Sequence, residues 1–195
     1  MLDFFDRKTV FETASDLLLK GGYSRAGFES YSLPSDPLSK SIKEKKAVYN
    51  SLGTQKGEAV NFIAVGSSAH GVLNDQFYFQ NFYEQNLYRD SLLEGKFPIY
   101  RGKKMNKDDV IRREVIRHIR TFFNVEYDFF EKKYHIIFKD YFKKELANLD
   151  SFKKDQLLEV NNKNIILSNL GEHFSPQVAN VFDAYNDQKF YSNNI

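Results

Sequence analysis

The sequence predicts a mixed α+β chain: the final β/α units of a partial, TIM-like barrel, followed by a helical, winged-helix-like C-terminal domain. Three observations carry that reading. The apolar run Ala59 to Val65 passes straight into Gly66-Ser67-Ser68-Ala69-His70-Gly71, the pattern of a strand covered on both faces that ends in a small-residue loop. A helix and a strand precede it, which is α/β grammar, but with too few strands to close a barrel. Past residue 100 the order changes to three helices, a polar hairpin and a last helix, the order of a winged helix with an extension. The expected division is therefore 1–100 and 101–195.

The elements follow from local signals. Thr9 with Glu12 has capping-box spacing, and Phe11, Ala14, Leu17 and Leu18 form one stripe ended by Gly21-Gly22, so a helix is expected there. Tyr23 to Tyr31 reads as a strand. Asp36-Pro37 opens a small exposed helix through Lys46. Rings crowd from Phe77 to Tyr88, where Asn81 and Glu84 have the spacing to cap a helix reaching Gly95. Phe97-Pro98 starts a joint that ends near Asn106. Asp108 to Phe123, Tyr127 to Lys133 and Tyr134 to Leu149 are three helices. Leu157–Val160 and Ile165–Ser168 flank the polar connection Asn161-Asn162-Lys163-Asn164, a hairpin signal. A last helical region carries Phe174, Val178, Val181, Phe182 and Tyr185 on one face, with Ser175-Pro176 as a start or a kink.

Composition narrows the function classes. Of 195 residues, 42% are hydrophobic, enough for a real core. Lys plus Arg number 28 against 26 Asp plus Glu, and a net charge of +2 argues against a general polyanion binder. The chain has no cysteine, which excludes disulfides, zinc–thiolate sites, thiol nucleophiles and a Cys-ligated iron–sulfur cluster held by this chain. The opening MLDFFDRKTV has neither a signal-peptide nor a spanning pattern, so a cytoplasmic protein without a membrane role is expected. Nineteen Phe and twelve Tyr without a Trp point to a core built on Phe.

Two charges sit on the wrong faces. With ~100° per residue, Ile111, Val115, Ile116, Ile119, Phe122 and Phe123 fill one arc of their helix, and Arg112 falls inside it. Arg113, Arg117 and Arg120 lie opposite, as a solvated face would. On the Tyr134–Leu149 helix, Glu145 falls among Ile137, Phe138, Tyr141, Phe142, Leu146 and Leu149. A charge on a buried stripe is costly unless paired. Arg112 and Glu145 therefore face each other, or Arg112 snorkels, or one of them meets a ligand.

Gly66-Ser67-Ser68-Ala69-His70-Gly71 is the best local candidate for chemistry. Small residues let a ligand approach the backbone, hydroxyls donate, and the imidazole of His70 can bond or shuttle a proton. A tight turn with a backbone-bonded histidine is the structural alternative. It is not a nucleophile elbow, which needs glycine where His70 stands. Glu29 and Tyr31 are expected near the same edge, with Glu29 able to bond an amine or hydroxyl. His118, His135 and His173 lack metal-ligand spacing. Arg113, Arg117, Arg120, Lys139, Lys143 and Lys144 allow a nucleic-acid reading, but Asp140 and Glu145 interrupt them and Asn161–Asn164 is no basic wing, so nucleic acid is disfavoured.

Taken together, these segments resemble oxygen-independent coproporphyrinogen III oxidase and its relatives among the radical S-adenosylmethionine enzymes. The matching stretches are Gly21-Gly22-Tyr23, Gly27 through Asp36, Gly66-Ser67-Ser68-Ala69-His70 and Tyr78-Phe79-Gln80-Asn81. After Arg101-Gly102 they continue with Asp108 through Ile116, Phe138 through Phe142, Gly171 and Phe182-Asp183-Ala184-Tyr185. The likeness is to the carboxyl-terminal half of that family. It implies oxidative decarboxylation of two propionates of coproporphyrinogen III in haem synthesis, with S-adenosylmethionine and an iron–sulfur cluster held by an N-terminal half bearing three cysteines. It also implies a truncated or split gene product or a fragment, inactive alone.

Carried over from that resemblance, Glu29, Tyr31, Ser67 and Ser68 lie at the substrate rim; with Gly66, His70 and Arg112 from the residue reading above, they are the expected substrate- or cofactor-binding residues. A tetrapyrrole, an N-terminal half, and a second copy pairing through an exposed barrel edge are the expected partners. The family carries Phe-Gln-Gly-Tyr where this chain has Asn50-Ser51-Leu52-Gly53-Thr54, and Ala69-His70 is more like the haem-chaperone and haem-degrading methyltransferase types. A haem-binding or haem-processing homologue is therefore the first rival reading. A non-enzymatic winged-helix nucleic-acid or protein-binding module is the second.

Overall fold

Helix α1 (Phe4–Lys20) opens the chain in a computed structural model that describes residues 3–50, 53–57, 61–63, 65–74 and 76–186. There follow β1 (Ser24–Arg25), β2 (Tyr31–Ser32), α2 (Pro37–Lys43), β3 (Val48–Asn50) and β4 (Gly53–Gln55). Next come β5 (His70–Leu73), β6 (Phe77–Asn81), α3 (Gln85–Leu93) and β7 (Ile99–Lys104). The long α4 (Lys107–Phe122) leads into β8 (Asn124–Glu126), α5 (Tyr127–Tyr134), α6 (Phe138–Tyr141), α7 (Lys143–Asn148) and α8 (Asp150–Lys154). The chain ends with β9 (Leu158–Val160), β10 (Asn164–Leu167), α9 (Asn169–His173) and α10 (Ser175–Asn180). Helix and sheet are mixed, and contacts group residues 58–111 as one unit and 1–57 with 112–195 as another.

In the larger unit, β10 lies between β8 and β9, antiparallel to both. Phe130, Phe138, Phe142 and Phe182 are fully buried there with Val115, Ile119, Val125, Ile165 and Val178. Phe138 contacts the rings of Tyr127, Phe130 and Phe142 at 4.4, 5.4 and 4.9 Å, and Phe142 meets Phe182 at 5.4 Å. Each buried ring contributes about 1.5–3 kcal/mol through its area. The expectation of a phenylalanine core holds.

Several elements differ from their sequence signals. The first helix begins at Phe4, because the Asp3 carboxylate accepts from the Asp6 amide and so caps it ahead of Thr9. Tyr23 to Tyr31 is no single strand. Ser24 pairs with Ser32 and Arg25 with Tyr31 across a short loop, closed by Ala26 N donating to Ser30 O. Asp36 does cap the Pro37 helix. The expected Tyr134–Leu149 helix starts late and breaks: Tyr134 ends α5, His135 adopts φ 54°, α6 begins only at Phe138, and Phe142 at φ −106° separates α6 from α7.

The smaller unit departs further. The Ala59–Val65 run is not a strand buried on both faces. Residues 59, 60 and 64 lie outside the described residues, Phe62 makes one antiparallel bridge to Val72, and Ile63 and Val65 are 71% and 86% exposed. Every strand pair among the described residues is antiparallel. An apolar run states that its surface favours burial; it does not state what buries it. The aromatic stretch from Phe77 starts as β6, and the joint expected at 97–106 contains β7, which pairs with β6. Asn81 is the last residue of that strand and α3 starts only at Gln85. Alternating Phe77, Phe79 and Tyr78, Gln80 is a period-two signal that ring density obscured.

Candidate functional site

Two clusters hold most of the sequence candidates, one in each unit. In the larger unit the loop between β1 and β2 presents Glu29. Gly27 takes φ +89°, and a Cβ there would stand 3.1 Å from the Arg120 carbonyl, so glycine is what lets the loop meet the end of α4. Phe28 N then donates to that carbonyl at 3.0 Å. Arg25 braces the loop from the other side, donating to Phe28 O at 3.1 Å while pairing with Glu172 at 2.9 Å.

Glu29 itself is exposed, and one carboxylate oxygen accepts from the Tyr49 hydroxyl at 3.2 Å. The same phenol oxygen accepts from Arg120 Nη2 at 2.5 Å, and the guanidinium lies 4.4 Å from the Tyr49 ring centroid and 5.2 Å from that of Phe28. Burial pushes the Tyr49 phenol above its ordinary value, with the nearby Glu29 charge adding and Arg120 opposing. Tyr49 therefore stays protonated and donates. Gly53, at φ +86°, runs beside the carboxylate, 3.7 Å from Glu29 Oε1 to its would-be Cβ. The outcome is a surface carboxylate oriented on one oxygen, and a carboxylate's second oxygen accepts from an ammonium, hydroxyl or ring N–H donor. Tyr31 braces the fold instead, since its hydroxyl donates to Ser15 Oγ on α1 at 2.7 Å.

In the smaller unit, residues 66–69 form a turn pinned at several points. Gly66 adopts φ +108° and Ser68 φ 62°. Gly66 N donates to the Tyr88 hydroxyl at 2.9 Å, and Asn81 Nδ2 donates to Gly66 O at 3.0 Å. Ser68 N donates to Phe82 O, and Asn81 N to Ala69 O, each at 2.9 Å. Ser67, Ser68 and His70 are exposed at the rim of this turn. Asn81 and Tyr88, which sequence reasoning assigned to a helix start and an aromatic run, are the residues that hold it.

Arg112 is engaged by protein groups. Its Nη1 lies 2.7 Å from Glu145 Oε1 and 3.3 Å from Phe182 O, and its guanidinium is 5.4 Å from the Phe142 ring. The helix face expected to be solvated is also engaged, since Arg117 pairs with buried Glu114 and Arg120 with Tyr49. Among the described residues no group of three or more His, Cys, Asp or Glu is placed to hold a metal ion. No helix among them is long and apolar enough to cross a membrane.

Both the arrangement and the sequence are similar to coproporphyrinogen III oxidases, one of which is described as a radical S-adenosylmethionine enzyme. The structure superposes on the coproporphyrinogen III oxidase of Escherichia coli, described as a radical SAM enzyme, with a TM-score of 0.87, 26% identity, and coverage of 94% of this chain and 42% of that one. More particularly, the chain is homologous to oxygen-independent coproporphyrinogen III oxidases over their C-terminal part. It is 30% identical to the Escherichia coli K12 protein and 28% identical to that of Helicobacter pylori J99, in each case over 180 residues. Each match covers 92% of this chain and 39% of the relative, so the chain spans about two fifths of the length of the curated relatives it matches. No protein-family model matches the chain. An iron–sulfur cluster of the kind radical enzymes carry needs cysteine thiolates, and this chain has none, so its residues do not fit that group.

Proposed function

We propose that this chain works as the C-terminal portion of an oxygen-independent coproporphyrinogen III oxidase-like enzyme, shaping the tetrapyrrole side of a site whose cluster is carried on other polypeptide. The observation that carries the reading is the structural likeness over 94% of the chain to the Escherichia coli oxidase. In this reading residues before α4 complete the end of a partial barrel. The order α4, β8, α5–α8, β9, β10, with β10 central in its sheet, supports reading the second half as a winged-helix-like lobe.

Glu29, oriented by Tyr49, is the donor-seeking group of this site, suited to a pyrrole N–H of the substrate or to the ammonium of S-adenosylmethionine. In the smaller unit, and as a separate candidate surface, Ser67 and Ser68 supply exposed hydroxyls, Gly66 lets a ligand approach the backbone, and His70 begins the next strand. Tyr31 shapes the edge through its bond to Ser15. Arg112 contributes through its protein partners. The partner is the cluster-bearing half, and the compartment is the cytoplasm.

A chimaera tests this. The chain replaces the corresponding C-terminal part of the Escherichia coli oxidase, and coproporphyrinogen III conversion is assayed anaerobically. Conversion that falls at least tenfold in Glu29→Gln is expected. A chimaera that keeps its cluster absorbance and cleaves S-adenosylmethionine, yet leaves coproporphyrinogen untouched, would refute the assignment.

A further inference from the structure

The β5–β6–β7 sheet carries neighbouring rows of polar and charged side chains on one face. Register places His70 opposite Gln80 and Gln80 opposite Arg101, while Val72, Tyr78 and Lys103 form the next row. Side chains alternate across a strand, so these six share one face. The intervening Gly71, Phe79 and Gly102 belong to the other, where the Phe79 ring lies against Gly71. All six residues of β7 are exposed, as are His70 and Tyr78. Two cations and an imidazole thus lie within neighbouring rows, spaced by roughly 5 Å between strands and 7 Å along them.

We propose that this face is a carboxylate-binding surface, with Arg101 as its central partner and Lys103, His70 and Tyr78 around it. Arg101 Nε donates to Gln80 Oε1 at 2.8 Å, and its guanidinium sits 5.8 Å from the Tyr100 ring. Held on two sides, the fork loses less freedom on binding, and its geometry suits a carboxylate bidentately. Lys103 is shared with Asp109 at 3.9 Å, and that carboxylate also accepts from Asn106 N at 2.9 Å, so Lys103 contributes long-range charge more than a dedicated contact.

The cavity here measures about 180 Å³; His70, Tyr78, Gln80, Arg101 and Lys103 of this face line it, together with Phe79 and Gly102 of the intervening row. That is below the roughly 300–1,000 Å³ of sites that enclose a whole drug-sized ligand. It accommodates one carboxyalkyl arm, leaving the body of a planar polycarboxylate outside. Identifying that polycarboxylate as a tetrapyrrole rests on the proposed function above; the carboxylate site rests only on the sheet.

The test titrates the full chain with coproporphyrin III, a stable fluorescent tetracarboxylate, and separately with glutarate. Saturable porphyrin binding is expected, weakened at least tenfold by Arg101→Ala, less by Arg101→Lys and Lys103→Ala, and reversed by excess glutarate. Circular dichroism confirms that each variant is folded; because β7 is an exposed edge, the variants retain the wild-type spectrum. Porphyrin binding of equal strength in wild type, Arg101→Ala and Lys103→Ala overturns the sheet-face site and leaves the tetrapyrrole reading standing. Arg101-dependent glutarate binding without porphyrin binding supports the carboxylate site and overturns the tetrapyrrole reading. Binding of neither ligand overturns both.

Discussion

Arg112 and Glu145 meet at 2.7 Å between α4 and α7, with side chains 17% and 12% exposed. Each was out of place on an apolar stripe, and each is accommodated by the other. Removing one partner leaves a nearly buried charge, so Arg112→Ala is expected to lose about 3 kcal/mol, the low end for buried pairs. Arg112→Met combined with Glu145→Leu should recover most of that in urea unfolding midpoints. If Arg112→Ala costs no more than an exposed Lys→Ala control, the pair does not hold these helices.

Acid stability should centre on Glu114. Burial would raise this carboxyl, yet contact with His118 and the charges of Arg117 and Lys133 hold it at about 2, below its ordinary 4.5. His118 Nε2 is 3.7 Å away, beyond a proper hydrogen bond, so the two cations are the stronger influence. A depressed folded value means stabilisation that is present above pH 4.5 and lost as pH falls from there through about 2; the full amount is about 3 kcal/mol. Burial also lowers His118, so its contribution is present above 6.5 and fades as pH drops through its depressed value. Thermal melts between pH 7.5 and 3 should show both declines, and Glu114→Gln should flatten the lower one. An unchanged slope below pH 4.5 in that variant would count against this assignment.

Gly171 has no room for a side chain. A Cβ there would overlap the Leu157 carbonyl, which is fixed backbone at the start of the β9 hairpin. Gly171→Ala should therefore lose at least the 1–3 kcal/mol typical of overpacking. Gly22→Ala is the comparison: nothing lies within 4 Å of its Cβ, and only its φ of +84° is strained, costing about 1–2 kcal/mol. Equal urea midpoints for the two variants would contradict this packing.

The Tyr49 phenol should respond to its neighbours. Arg120 lowers it and Glu29 raises it, against the larger upward push of burial. Arg120→Ala should move the Tyr49 titration further up, and Glu29→Gln should move it down, read as the phenolate absorbance difference between each variant and its Tyr49→Phe counterpart. A Tyr49 titration indifferent to both changes would show that Glu29 is not oriented as described.

Particular residues show how much was legible. Arg112 and Glu145 could be paired from two helical wheels, because wrong-face charges in a packed core leave few ways to be satisfied. The Asn161–Asn164 hairpin and the Asp36-Pro37 helix start were readable because turn and cap chemistry is local. The Glu29 cluster was legible only by half. Tyr49 and Arg120 lie 20 and 91 positions from Glu29, and nothing local marks a phenol as the group that orients a carboxylate. Arg120, placed on a solvated face by periodicity, belongs to the site instead.

By itself the sequence determined the phenylalanine core, the helix–hairpin order of the second half, the absence of cluster ligands, and the family likeness. Each of these follows from residue identity or from spacing within one turn or one hairpin. Tertiary structure alone decided that the Ala59–Val65 run leaves Ile63 and Val65 exposed, that Asn81 and Tyr88 pin the Gly66 turn, and that His70, Gln80 and Arg101 stand in one row. Those outcomes depend on strand register and on contacts between distant segments, and hydrophobicity along a single strand carries no record of which neighbour it will meet.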